Sequence, residues 1–119
     1  MPSSLRLKRI SDRIQQELSE MVAKGEIHDP RLEGISITEV KVDRELSYAE
    51  VFVSAIEGIT RSKEVIQALE NASGFLRKSL SERIDLRAFP RLRFHWDVTP
   101  ERADRIERLI SSIHAEEKK

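Results

Sequence analysis

The chain has 119 residues, enough for one domain with a real core, but only 5% are aromatic, so that core must be mainly aliphatic. The absence of cysteine excludes disulfides and thiolate metal sites, and no apolar run approaches the roughly 20 residues that span a bilayer. Lysine plus arginine and aspartate plus glutamate balance at 21 each, which counts against a nucleic-acid binder unless the charge is segregated.

The N-terminus carries cations with no hydrophobic stretch behind them, so it does not read as a secretory signal, and a cytoplasmic location is expected. The first element is a helix with Leu7, Ile10, Ile14, Leu18, Met21 and Val22 on one face. Ser3 or Ser4 is placed to cap its start, and Gly25 is a natural stop. A loop, "EIHDPRLEG", follows, because Pro30 keeps Asp29 out of helical geometry.

Two strands come next. In "ISITEVKV" the alternation Ile35, Ile37 changes phase to Val40, Val42, which predicts either a bulge or a strand whose ends bury different faces. After the hairpin-length "DRELS", "YAEVFVSA" alternates cleanly, with Ala49, Val51, Val53 and Ala55 on one side. A second helical region opens at "TRSKE", with several capping candidates between Thr60 and Lys63, and ends before Pro90. Leu69, Ala72, Leu76, Leu80 and Ile84 recur along it at three- and four-residue steps. The third strand, "RLRFHWD", directs Leu92, Phe94 and Trp96 inward and Arg91, Arg93 and His95 outward. A last helix starts with Thr99 as cap and Pro100 at its first position, and its apolar face is Ile106, Leu109, Ile110 and Ile113. Residues 1–115 read as one domain and 116–119 as a short charged tail.

The first two strands should pair as an antiparallel hairpin. The helical crossover to the third strand requires a parallel, right-handed connection. The expected fold class is therefore α+β, a three-stranded mixed sheet with helices on one face.

The charge is segregated. Residues 77–93 hold Arg77, Lys78, Arg83, Arg87, Arg91 and Arg93 against Glu82 and Asp85, a net of +4; residues 1–13 hold Arg6, Lys8, Arg9 and Arg13 against Asp12, a net of +3. Gly74 interrupts the second helix, where glycine costs roughly 1 kcal/mol relative to alanine. Helical geometry puts it away from Leu69, Leu76 and Leu80, on a face shared with Arg77, Lys78 and Ser81. An exposed glycine gains nothing from core packing. A break at Ser73-Gly74 would instead give the second half a new N-terminus, whose free amides and dipole favour a phosphate. The apolar phase nevertheless runs unbroken from Val65 to Leu80, which also suits one straight helix.

Other candidates have bland readings of comparable weight. Arg91 and Arg93 are either phosphate contacts or charges that protect an edge strand. Arg9 and Arg13 lie on a helix's ordinarily charged solvent face. Arg31 either contacts phosphate or fastens its own loop through a carboxylate. His28, His95 and His114 lie in different elements, no carboxylate run has metal-ligand spacing, and Ser73 and Ser79 have no histidine at a suggestive spacing. No catalytic residue, metal or cofactor is expected.

"DPRL" after the first helix, "VDRELSYAEVFVS" across the hairpin and "ASGFLRKSL…LRAFPRLRFHWD" together resemble the ribosome-binding factor A family, in order, from Arg9 to about Ile110. Glu45 and Glu50 depart from it, placing acid in the hairpin where many members have aspartate or a cation. The resemblance implies a type II KH-like domain of order α-β-β-α(kink)α-β-α, with Ala72, Ser73 and Gly74 at the interhelical kink. It also implies a non-enzymatic factor that binds the small (30S) ribosomal subunit and its 16S rRNA, and that assists late maturation, 5′-end processing and growth in the cold. Ser73, Gly74, Arg77, Lys78 and Ser81 are the core of the expected RNA surface, with Arg9, Arg13, Arg31, Arg87 and Arg91 as further contacts. A monomer is expected, without membrane association, and other assembly factors such as a GTPase are candidate partners. The rival reading is a protein–protein interaction module without RNA contact, which the neutral net charge favours. A helix-turn-helix DNA reader is disfavoured by the strand content.

Overall fold

The computed structural model describes residues 4–99 together with Leu109 and Ile110. Helix α1 runs Ser4–Ala23, and a 3-10 turn Pro30–Leu32 leads into strand β1, Ile35–Val42. Strand β2 is Tyr48–Ala55, a second 3-10 turn is Ile59–Arg61, helix α2 is Ser62–Arg83, and strand β3 is Arg91–Trp96. The sheet order is β1-β2-β3, antiparallel between the first pair and parallel between the second, as a hairpin followed by a helical crossover requires.

Local chemistry explains the boundaries. Gly25 takes φ +67°, the amide of Glu26 bonds the carbonyl of Met21, and that of Gly25 bonds Val22, which closes α1 with a left-handed glycine cap. Asp29 caps the first 3-10 turn by accepting from the Arg31 amide. The phase change in β1 is a bulge. Ile37 faces Val53 and Glu39 faces Phe52, so Thr38 has no opposite number, and Ile35, Ile37 and Val40 all reach the core. The Thr38 hydroxyl donates to Asp97 Oδ2 at 2.6 Å and so ties the bulge to the end of β3.

Helices α1 and α2 cover one face of the sheet. Ile14, Leu18, Met21, Leu69, Leu76 and Leu80 are fully buried against Val51 and Val53 of the central strand. Two polar links fix the layers. Gln15 Nε2 donates to the carbonyls of Ile37 and Thr38, holding α1 on the edge strand. Arg83 reaches from the end of α2 to Glu26 at 2.6 Å and Glu17 at 3.5 Å, joining α2 to α1.

Two expectations need correction. The second helical region does not break at Ala72, Ser73 and Gly74; α2 is one helix of 22 residues. The continuous apolar stripe prevails, because Val65, Ala68, Leu69, Leu76 and Leu80 bury together only if the helix keeps its phase, and that burial outweighs one glycine. The same helix ends at Arg83, so Ile84, expected on its apolar face, is already extended and donates its amide to Leu80. Its start falls within the expected Thr60 to Lys63 span, with Arg61 at the cap position and no side-chain cap bond. Of the last helix, Thr99, Leu109 and Ile110 are described; all three are helical and exposed, and the remainder of that expectation lies outside the described residues.

Candidate nucleic-acid interface

Gly74 lies on the solvent side of α2, where a Cβ would meet nothing within 4 Å. Packing therefore gives no reason for the glycine. The surface in front of it is a shallow depression of about 410 Å³ lined by Gly74, Arg77, Lys78, Ser81, Leu86, Arg87 and Phe89. Two segments build it, the outer face of α2 and the loop that carries the chain from α2 to β3. Five of the residues expected from sequence meet there: Gly74, Arg77, Lys78, Ser81 and Arg87. Leu86 and Phe89 are additions from the fold; their signal is the apolar spacing inside "IDLRAFP", which roots the loop in the core.

Because α2 is continuous, the amides around Gly74 belong to the helix's own ladder, and no second free N-terminus faces the depression. Anion binding there must rely on side-chain charge. Lys78 and Arg87 are exposed and have no ion-pair partner among the described residues. Arg77 has no carboxylate partner either, but its guanidinium is occupied. Nη2 donates to the carbonyl of Phe89 at 2.6 Å and Nε to that of Pro90 at 3.3 Å. The Ser81 hydroxyl donates back to the carbonyl of Lys78 at 2.7 Å, within its own helix.

The other candidates divide. Arg91 is exposed at the start of β3, directly after the dipeptide that Arg77 holds, and has no ion-pair partner among the described residues. Ser73 faces the other way, into a hollow shared with Leu92 and His95 of β3. Arg9 is exposed on α1 without a described partner, whereas Arg13 pairs with Glu17 at 3.1 Å. Arg31 is claimed by Asp29, through a 2.7 Å ion pair and an amide bond to the same carboxylate, which hold Asp29 below its ordinary pKa. That arginine fastens its loop, one of the two roles its sequence context allowed.

The outer face of the sheet contrasts with the depression. Arg93 lies over the Tyr48 ring at 3.8 Å and pairs with Glu50, which also approaches His95 Nε2 at 3.0 Å. Of the six cations between residues 77 and 93, Arg83 and Arg93 are thus neutralised, while Arg77, Lys78, Arg87 and Arg91 have no carboxylate partner among the described residues. Among the described residues no group of three or more histidines, cysteines or carboxylates could hold a metal ion, and no helix is long and apolar enough to cross a membrane.

Comparison with known proteins bears on this surface. Residues 6–110 match the family model described as ribosome-binding factor A. The chain is 43% identical over 114 residues to ribosome-binding factor A of Alcanivorax borkumensis, covering 95% of this chain and 82% of that protein. Its fold is similar to the crystal structure of ribosome-binding factor A from Thermus thermophilus, with a TM-score of 0.66 and 25% identity over 75% of this chain and 93% of that one. It is also similar, with a TM-score of 0.56 and 27% identity over 73% of this chain and 96% of that one, to the homology model of the Thermus thermophilus factor fitted into the cryo-EM map of a 30S complex.

Proposed function

The chain belongs to the ribosome-binding factor A family, and from that premise we propose that it is a monomeric, non-enzymatic assembly factor that binds the small ribosomal subunit by contacting 16S rRNA. Late maturation of that subunit and processing of the rRNA 5′ end, including in the cold, are the steps it assists. The observation that carries this reading is the coincidence of an open, side-chain-free patch at Gly74 with cations that have no carboxylate partner among the described residues. Lysine and arginine side chains that are not neutralised internally are available to phosphate, and RNA in folded form is recognised through phosphate, sugar and shape more than through base edges. A glycine on the same surface lets a backbone approach without a collision. The relative fitted into a 30S complex supports the choice of partner.

The proposed action is to hold one rRNA conformation and then leave, with no bond made or broken by the protein. Salt and charge reversal test it together. Lys78→Glu with Arg87→Glu should abolish co-sedimentation with purified small subunits while circular dichroism and the denaturant midpoint stay near the parent's. For the parent, log affinity should fall linearly with log salt, the signature of counterion release. Undiminished co-sedimentation of the double variant would discard the interface, and affinity indifferent to salt would favour an apolar protein–protein contact instead.

A further inference from the structure

Arg77 looks at first like one more phosphate ligand, since it shares the exposed face with Gly74 and Lys78. Its geometry assigns it elsewhere. Two of its three nitrogens donate to successive carbonyls, those of Phe89 and Pro90, at the end of the loop between α2 and β3. Both residues are buried, Pro90 almost completely, so the guanidinium is fastened to the point where the loop enters the core. A planar fork can bridge two neighbouring carbonyls in fixed directions, which a lysine ammonium on a flexible stem cannot do.

The bridge has a consequence for the loop. Three residues before Pro90 stands Arg87, and immediately after it Arg91, both exposed and without ion-pair partners among the described residues. Between α2 and this loop no ion pair is formed among the described residues, because Arg83, the last residue of α2, turns to Glu17 and Glu26 of the α1 side. The described polar links that span from α2 to the Arg87–Arg91 segment are those of Arg77. We infer that Arg77 is a positioning residue: it clamps the α2–β3 loop to the helix and so sets the spacing between Lys78 on the helix and Arg87 on the loop, the two groups that meet phosphate. The inference rests on the proposed RNA interface, and its test keeps the two apart.

Binding of purified small subunits is measured against salt for the parent and for Lys78→Gln, Arg87→Gln, Arg77→Lys and the Arg77→Lys/Arg87→Gln pair. Folding of each variant is checked by denaturant midpoint at the assay temperature. Each direct phosphate contact removed should lower the slope of log affinity against log salt by about 0.7 to 0.9. Lys78→Gln and Arg87→Gln should each do so. Arg77→Lys keeps the charge but loses the two-carbonyl bridge; it should weaken binding about as much as Arg87→Gln and lower the slope by a similar increment. In the paired variant the second change should add nothing, since the loop cation is already misplaced. Amide exchange at Arg87 and Ala88 should rise in Arg77→Lys. An Arg77→Lys protein with parental affinity and slope would overturn the inference by showing that charge alone is used there, as would strictly additive losses in the pair. Should Lys78→Gln and Arg87→Gln both bind like the parent, the interface itself falls.

Discussion

The start of α2 and its exposed outer face past the midpoint use their arginines in opposite ways. At the start, Arg61 is mostly covered and fully engaged. It pairs with Glu57 at 3.2 Å and Glu64 at 3.0 Å, and donates to the carbonyls of Arg31 at 2.7 Å and Glu33 at 2.9 Å. Past the midpoint, the described side-chain bonds of Arg77 go to carbonyls, and the Lys78 ammonium beside it has no ion-pair partner among the described residues. The start uses its positive charge to hold the fold together, as Arg83 does at the last residue, and the outer face between them leaves it without a carboxylate partner among the described residues. Counting cations along the chain would not separate these two regions, because each contributes charge of the same sign. What separates them is whether carboxylates converge on the cation, and that is a property of the folded chain.

This contrast is broken first at the covered end. Arg61→Ala removes a charged donor from two loop carbonyls and leaves Glu57 and Glu64 without their shared cation. Hydrogen bonds to charged groups are worth roughly 1.5–3 kcal/mol each, so a loss of stability of about that size is expected. Binding of small subunits by the protein that remains folded should be unchanged. Denaturant unfolding and sedimentation on the same preparation check both halves. A folded Arg61→Ala protein that no longer binds would show that the two regions are not functionally distinct.

Gly74→Ala sharpens the contrast at the exposed end, where stability and function should move in opposite directions. The new methyl group meets nothing within 4 Å and the helix is continuous, so the substitution should stabilise the protein by about 0.4–1 kcal/mol through the lower entropy of its unfolded chain and the better helix propensity of alanine. Binding should weaken, because the methyl group projects toward the surface where a backbone is proposed to approach. A variant that is more stable and binds as tightly as the parent would show that the glycine does not serve the interface.

Much of the fold is legible in the sequence because it follows from periodicity. The strand limits, the parallel crossover and the bulge in β1 each leave a trace in the alternation of apolar residues, and the bulge appears as the phase change between Ile37 and Val40. The break expected at Gly74 gives too much weight to a local feature. A single glycine costs about 1 kcal/mol, whereas the stripe from Val65 to Leu80 buries five side chains, and that burial sets the course of the backbone. The site is legible as a face, since Gly74, Arg77, Lys78 and Ser81 recur at helical steps. Their partners are not legible. Nothing in the spacing of Arg77 points to the carbonyls of Phe89 and Pro90, and nothing near Arg93 in sequence announces Glu50, 43 positions away on the neighbouring strand. Pairing across the fold depends on register and loop course, which a single sequence specifies only through the whole packed structure.

The smallest expected effect lies where charge compensation is made by a hydroxyl and not by a cation. Asp97 sits after β3 and accepts from the Thr38 hydroxyl at 2.6 Å and from the Thr99 amide at 2.9 Å. Those bonds favour the ionised carboxylate, the Thr38 bond most, and hold its pKa below the ordinary value against partial burial. A carboxylate depressed in the folded state stabilises the fold above its unfolded pKa of about 3.9, and this contribution is lost as pH falls through the lower folded value. Asp97→Asn should therefore lower stability modestly at neutral pH and flatten its decline below about pH 4, so the difference between parent and variant shrinks on acidification. Thr38→Val should give the same pH signature, because it removes the principal donor while leaving the bulge its β-branched shape. If the gap between parent and Asp97→Asn were constant from neutral pH down to about pH 3, the bond across the sheet would be serving as packing and not as charge stabilisation.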